Sequence, residues 1–372
     1  MMMRLLLLLL LISLTAQAQF TLRGRVVNAA DGQPVPFCSV FLANTTKGTT
    51  ADENGSFVLA NLPAGRFDLV VSSVGFETLA SPINTNQPAS LLIRIMPSAN
   101  QLAEVQVRAN RDPEWLEQLG VFLKNFIGTS KNAQECKIIN QNALWFDDNR
   151  ATMRMTGGAR EPLIIDNKAL GYRIRYVLEQ FLFDYGNKSV SYLGYPVYEL
   201  MKPRGRREAL RWEKARTEAY RGSSMHFMRT LYAKKTAEEG FEIRRVLERT
   251  DSSKVAGQWR IKKARYLVKD ALPATFLLSE EASTDSTTAL SFENLIQVTY
   301  TLEKESPEYV RSLSPFSEKL SPGGPQTSLI YLTEPTVTIE RNGNFYNPLG
   351  VIFEGYWGWE KMAELLPLTY EP

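Results

Sequence analysis

The sequence predicts an all-β sandwich at its N-terminal end, followed by an α+β domain with a mainly antiparallel sheet and an inserted helical block. Three observations lead there. From Phe20 to about Ser98, short runs of alternating character are separated by turn residues at the roughly 8–12-residue spacing of a sandwich. From Pro113 an apolar stripe recurs every three or four residues, the period of a helix packed on a core. Beyond it, strand-like runs follow one another and helices cluster in one block, the order of an α+β domain rather than of alternating β-α-β units. A length of 372 residues suits two or three domains of ordinary size.

Residues 1–18 read as a secretory signal. Arg4 supplies the positive start, Leu5 to Leu14 the apolar run, and Ala16-Gln17-Ala18 the small-residue cleavage pattern. The apolar run is too short for a membrane span, which needs about 20 residues. Cleavage is expected before Gln19, with no lipid-acceptor cysteine at that position and no transmembrane span in the mature chain. The protein is therefore expected to be periplasmic or outer-membrane-associated. Charge is nearly balanced, with 43 Lys and Arg against 40 Asp and Glu, and gives no global reason to expect nucleic-acid binding.

In residues 19–98, Phe20, Leu22 and Val26 mark one strand face and Cys38, Val40 and Leu42 another. Phe57, Leu59, Phe67, Leu69, Val71 and Phe76 continue the alternation, and Leu91, Ile93 and Ile95 give a late strand. Asp31-Gly32, Lys47-Gly48, Asn54-Gly55, Ala64-Gly65 and Gly75 are the turns. Cys38 reads as a small core residue of its strand. A bridge to Cys136, permitted in an oxidising compartment, is the alternative.

Gly24-x-Val26, Asp31-Gly32 with Pro34 and Pro36, Gly48-Thr49-Thr50, Asp52 to Phe57, Leu62-Pro63-Ala64-Gly65 and Gly75-Phe76 carry a resemblance. Together they resemble the carboxypeptidase-regulatory-like domain, a transthyretin-like sandwich common in envelope proteins of Bacteroidetes. The resemblance implies an accessory module without an active site. In metallocarboxypeptidases the zinc lies in a separate domain and is held by two histidines and a glutamate. This chain has a single histidine, His226, so a zinc peptidase is not expected, and neither a metal nor a cofactor is.

The same module begins many TonB-dependent receptors, ahead of a segment that Leu102 to Val107 resembles. The 22 strands of such a barrel, at about 9–11 residues each, need more chain than the strand-like runs here supply. Residues 99–113 read as a linker or last strand.

In residues 114–372, Trp115, Leu119, Phe122 and Phe126 predict a helix from Pro113 to near Gly128. Leu144 to Phe146 and Ala151 to Met155 predict a hairpin turning at Asp147-Asp148-Asn149. Tyr172 to Phe183 and Val190 to Leu200 predict a longer one, turning at Gly186-Asn187. Further strands are expected at Phe241–Leu247, Trp259–Val268, Leu290–Leu302, Ser328–Leu332 and Val337–Ile339. The helical block spans about Arg206 to Lys235. Its first part is basic, and Glu208/Arg211, Glu213/Arg216 and Glu218/Arg221 stand at the spacing of surface ion pairs. A patch for an anionic glycolipid or phosphate is the functional alternative. The strings from Asn167 to Tyr176, Ala219 to Tyr232 and Gly355 to Pro372 resemble those of Bacteroidetes proteins known by their regulatory-like domain, a resemblance that brings no catalytic residue.

Six residues are the candidates for ligand binding: Tyr220, Arg221, Ser223, His226, Trp357 and Trp359. Ser223 or Ser224 with His226 is the one pair that resembles a nucleophile and its base. Glycine followed by serine reads more simply as a helix start, with Phe227, Met228 and Leu231 facing the core. Trp357 and Trp359, two apart, are expected on one face of a strand, as core or as a platform for sugars. The expected function is a non-enzymatic cell-envelope binding or assembly module, with an envelope protein, glycan or lipid as partner and no nucleic acid. The alternatives are a periplasmic carrier of a hydrophobic or glycolipid ligand, and a serine-type hydrolase.

Overall fold

The computed structural model describes residues 20–86, 90–98, 112–255, 258–284, 287–313 and 323–372. The signal-like segment and Leu102 to Val107 lie outside the described residues. The chain divides into two compact units, Met1–Gln106 and Val107–Pro372.

In the first unit the strands are β1 (Phe20–Asn28), β2 (Ser39–Leu42), β3 (Gly48–Thr50), β4 (Ser56–Leu62), β5 (Arg66–Ser72), β6 (Leu79–Asn84) and β7 (Ser90–Ile95). They form two sheets, β4-β1-β7 and β3-β2-β5-β6. β1 and β7 run parallel, while the other pairs of this unit are antiparallel. Of the predicted inward faces, Leu22, Val26, Cys38, Val40, Leu42, Phe57, Leu59, Phe67, Leu69, Val71, Ile93 and Ile95 are buried, whereas Phe20, Phe76 and Leu91 are half-buried. Phe41 and Val70, paired across β2 and β5, are buried too, so this sheet is covered on both sides at its centre. Gly55 shows why one turn needs glycine. Its φ is 72°, and a Cβ there would stand 2.4 Å from the Val26 carbonyl oxygen. Cys38 and Cys136 are both free; burial pushes the Cys38 thiol up to about 11, as suits a small core residue.

The second unit opens with α1 (Pro113–Phe126). Asp112 caps it by accepting from the Glu114 amide, and Gly128 ends it at φ 105°. A short helix, α2 (Lys131–Gln134), leads to β8 (Cys136–Ile138), β9 (Leu144–Asn149), β10 (Arg154–Ala159), β11 (Leu163–Asn167), β12 (Tyr172–Asp184) and β13 (Ser189–Leu200). These strands make one antiparallel sheet, β8-β11-β12-β10-β9, with β13 also paired to β12. Phe122 and Phe126 stack at 4.8 Å, and Phe122 meets Phe181 of β12 edge-on at the same separation. Each such side chain contributes about 1.5–3 kcal/mol of burial. The aromatic strands thus fill a packed core with α1.

The first hairpin turns later than predicted. β9 continues through Asn149, and the chain reverses at Arg150–Met153. Asp148 pairs with Arg150 at 2.8 Å and accepts from the Tyr185 hydroxyl, while Asn149 Oδ1 accepts from the Thr152 amide. These polar residues brace the turn from the strand end instead of forming it.

The helical block is α3 (Arg206–Tyr220) and α4 (Ser224–Tyr232). Of the three expected ion pairs, Glu208 and Arg211 come together at 3.9 Å. Arg216 turns inward instead, donating to the carbonyls of Leu170 and Gly171 and covering the Tyr172 ring. Lys214 takes Glu218 at 3.6 Å. Arg204, Arg211, Lys214 and Arg216 of the basic stretch are thus engaged within the protein.

The remaining strands divide between two sheets. β14 (Phe241–Val255), β15 (Gln258–Ala271), β16 (Leu278–Ser279), β17 (Thr288–Leu290) and β18 (Leu295–Lys304) precede a short helix, α5 (Pro307–Leu313). β19 (Pro325–Leu332), β20 (Val337–Ile339), β21 (Val351–Gly355) and a helical turn, α6 (Tyr356–Trp359), follow. The sheets are β15-β14-β18-β19-β21 and β16-β17-β20, both antiparallel. The single run expected from Leu290 to Leu302 is broken at Ser291–Asn294, with Asn294 at φ 67°, and its two parts enter different sheets. Phe227, Met228 and Leu231 of α4 pack on the larger sheet with Phe241, Ile296, Val298 and Trp357. No helix among the described residues is long and apolar enough to cross a membrane, which says nothing of a β-barrel.

Candidate functional site

Six of the seven sequence-nominated side chains lie in or around the break between α3 and α4, at Arg221-Gly222-Ser223. Ser223 caps α4: its Oγ accepts from the His226 amide at 3.1 Å and donates to the Tyr220 carbonyl at 2.7 Å. Ser224 is the first residue of that helix. The Gly222 amide donates to His226 Nδ1 at 3.2 Å, so the neutral ring carries its proton on Nε2, which faces Glu239 Oε2 at 3.6 Å. The imidazole is enclosed by Tyr220, Phe241 and Tyr300 at ring separations of 4.7, 4.9 and 5.8 Å. Trp357 closes the other side, its Nε1 donating to the Gly222 carbonyl at 2.6 Å.

Ser223 is not poised to attack from this arrangement. Nδ1 is engaged by a backbone amide, Nε2 faces a carboxylate, and the Ser223 hydroxyl is used twice as a cap. Glu239, the acidic neighbour that sequence reasoning did not find, sits 13 residues beyond the histidine. Burial lowers the His226 pKa from its ordinary 6.5, opposed by Glu239. The folded state therefore favours the neutral ring. The associated stability is present above about pH 6.5 and is lost as pH falls through that value toward the lowered pKa. Urea-denaturation midpoints measured from pH 8 to pH 5 are expected to drop below about 6.5 in the wild type, and to drop less in His226→Asn. Ser223→Ala is expected to cost about 1 kcal/mol by the same measurement, the usual loss of a helix cap.

Trp357 and Trp359 do not share a strand face. Gly355, at φ 73°, ends β21, and the two indoles sit on the following helical turn, two residues apart and so on different sides of it. Trp357 is core. Trp359 is half-buried against Tyr309 and Tyr356 and donates to the Thr129 hydroxyl at 3.1 Å. They form no stacking platform.

What the break does border is a cavity of about 400 Å³, within the usual size range of small-ligand sites. α3 and its end contribute Glu218 and Arg221, β18 contributes Glu303 and Lys304, and β19 contributes Gln326; Tyr356, Glu360 and Glu364 come from the C-terminal segment. Glu364 is fully supported, accepting from Ser130 and from Asn132 Nδ2. Glu303 accepts from Gln326 Nε2 at 3.3 Å. That bond fixes the amide orientation and leaves Gln326 Oε1, in a residue 8% exposed, without a hydrogen-bond partner. Gly222 makes room for this amide: its φ is 73°, and a Cβ would stand 2.3 Å from Gln326 Oε1. Glu360 is half-buried on the cavity wall. Its pKa is held well above the ordinary carboxylate value by burial first, and then by Glu364 and Glu303. Burial also raises Glu303, against the pull of Arg221.

Of the sequence candidates, only Arg221 lines this cavity. Glu360 and Glu364 stand in the C-terminal string already singled out, as two carboxylates four apart around Met362 and Ala363. Charged residues threaded through an apolar segment were the available signal. Glu303 and Gln326 carried none, since their meeting depends on the pairing of β18 with β19.

The family of the first unit follows from a direct match. The model of the CarboxypepD_reg-like domain matches residues 22–107. The chain carries a CarboxypepD_reg-like domain. No curated protein matches the sequence. Among solved structures, a DUF3823 family protein from Bacteroides ovatus is similar at 12% identity and a TM-score of 0.19, with 50% of this chain and 82% of that one covered. 3-Chlorocatechol 1,2-dioxygenase from Rhodococcus opacus is similar at 13% and 0.19, with 22% and 60% covered. A cohesin–X-dockerin complex of Acetivibrio cellulolyticus is similar at 17% and 0.18. There the match covers 20% of this chain and 56% of that one. Identities and scores this low transfer no ligand and no activity from these proteins to the chain that carries the CarboxypepD_reg-like domain.

Proposed function

We propose that the protein is a non-enzymatic binding module of the cell envelope, whose second unit holds a small polar ligand in the cavity beside the α3–α4 break. The observation that carries this is the cavity itself, of a size that holds a small ligand and walled by the polar side chains Glu218, Arg221, Glu303, Lys304, Gln326 and Glu360. The envelope assignment is supported by the signal-like residues 1–18, and the non-enzymatic one by the CarboxypepD_reg-like domain and by the commitment of both His226 ring nitrogens. The test is hydrolysis of ester and peptide substrates by the purified protein. No turnover above background is expected from wild type or His226→Ala. Turnover that disappears in His226→Ala contradicts the proposal.

A further inference from the structure

Away from the cavity, the sheet that packs on α1 carries an aromatic plate on its other face, and we infer that this plate binds a neutral, β-linked glycan. A pair of glycines builds it. On β10, Gly157 stands opposite Phe146 of β9, and Gly158 stands opposite Trp145. Directly opposite residues share a face and successive ones alternate, so the two rings lie on opposite sides of the sheet. A Cβ at Gly157 would stand 2.8 Å from the Phe146 ring, and one at Gly158 would stand 2.9 Å from Trp145 Cζ2 and 3.0 Å from Cε2 and Nε1. Three adjoining ring atoms at almost equal distances place that Cβ position over the ring plane, so the indole lies face down on Gly158. Phe146 is covered by Trp115 and Phe122 of α1. Trp145 has no such cover: it is 40% exposed, and its Nε1 has no acceptor among the described residues.

The polar side chains around the plate are free as well. Asp147 lies two residues along β9 on the same face. Gln180 precedes Phe181, the β12 partner of Gly157, and so stands beside Gly158 on the outer face. Both are exposed, and neither side chain has a partner among the described residues. The cations nearest along β10 are engaged, Arg154 with Asp184 and Arg160 with the Asn142 carbonyl. The plate is therefore flanked by an indole N–H, an amide that both donates and accepts, and a carboxylate. Hydroxyl groups, each a donor and an acceptor, match that mixture. An ammonium only donates and leaves the indole and amide N–H groups unpaired, while an anion meets Asp147 as repulsion and finds no free cation. The open ring face also calls for a flat apolar partner, and a pyranose supplies one through C–H bonds directed at the negative face of the indole. In a glucose-type ring the hydroxyls are equatorial, so they radiate toward the flanking side chains and leave the ring face apolar. β-Linkage keeps such rings in an extended chain, as an open sheet face requires.

Isothermal titration of the full chain at pH 7.5 with cellohexaose tests this, with hexalysine and hexagalacturonate as cationic and anionic counterparts. Saturable binding of cellohexaose is expected, with none of the other two. Trp145→Ala is expected to abolish it, and Trp145→Phe, which keeps a smaller ring, to weaken it. Gly158→Ala is expected to weaken it at least fivefold with the tryptophan still present, because the new Cβ lifts the indole off the sheet. Tyr266→Ala, at an exposed ring on β15, is expected to leave it unchanged. Thermal melts confirm that each variant is folded, and Trp145→Phe with Gly158→Ala carries the test if Trp145→Ala is not. No cellohexaose binding to wild type overturns the inference, as does binding that the Trp145 and Gly158 variants retain at full strength. Hexalysine or hexagalacturonate binding that is lost with Trp145, in the absence of cellohexaose binding, overturns the glycan as the occupant of the plate.

Discussion

Replacing Trp357 with alanine is expected to destabilise the second unit by about 3–5 kcal/mol, the range for deleting a buried aromatic side chain. The indole is 7% exposed and lies 5.2 Å from the Phe227 ring and 5.7 Å from Phe353. It also supplies the donor to the Gly222 carbonyl, and Gly222 is the hinge on which the His226 enclosure and the Gln326 amide both depend. The alanine variant therefore opens a void and leaves a buried carbonyl unpaired. Trp357→Phe separates the two effects, keeping most of the packing and losing only the hydrogen bond, with an expected cost of about 1–3 kcal/mol. Trp359→Ala, at the half-buried indole two residues on, is expected to cost clearly less than Trp357→Ala. Urea denaturation of the three variants side by side checks the order. Equal losses for the two alanine variants would show that the core does not close on Trp357.

Glu360→Gln is expected to act in the opposite direction and to stabilise the protein. Burial first, and then Glu364 and Glu303, hold its carboxyl well above the ordinary carboxylate value. Its folded-state pKa is raised, so the folded chain keeps a proton that the unfolded chain releases above about pH 4.5. Stability is unaffected below that value and declines as pH rises from there toward the raised pKa. The glutamine variant removes the decline. A higher Tm than wild type is expected at pH 8, each kcal/mol gained corresponding to about 2–4 °C for a unit of this size. Little or no gain is expected at pH 4.5. A variant that melts lower than wild type at pH 8 would mean that the carboxylate is already compensated within the protein.

The fold was more legible than the site, for reasons visible in particular residues. In the first unit, strand alternation and glycine turns are local signals, and Gly55 at positive φ marks a turn that other residues adopt only at a cost. The helix from Pro113 was equally plain, because Asp112, Pro113 and the Phe122/Phe126 stripe are contiguous. Errors came where a polar residue serves two structures. Asp147-Asp148-Asn149 reads as a turn, yet Arg150 and Tyr185 draw Asp148 into the end of β9. The Trp357/Trp359 alternation reads as a strand, yet Gly355 starts a helical turn before it.

The helix cap at Ser223 was readable because caps are local. The cavity was not, since Glu303, Gln326 and Glu360 come from separate segments that only the antiparallel pairing of β18, β19 and β21 brings near one another. The lone histidine drew attention to the right neighbourhood for the wrong reason. It braces the α3–α4 break, and the neighbouring residue Arg221 reaches the cavity.

The claim that the carboxylate-lined cavity is the ligand site is tested most directly by native mass spectrometry of the protein purified without denaturation from its native source, with Ser224→Ala, Gln326→Leu and Glu360→Gln prepared in parallel. Wild type and Ser224→Ala are expected to carry the same small adduct, and the two cavity variants are expected to lack it. The same adduct on all four proteins, or no adduct on any of them, would contradict the account.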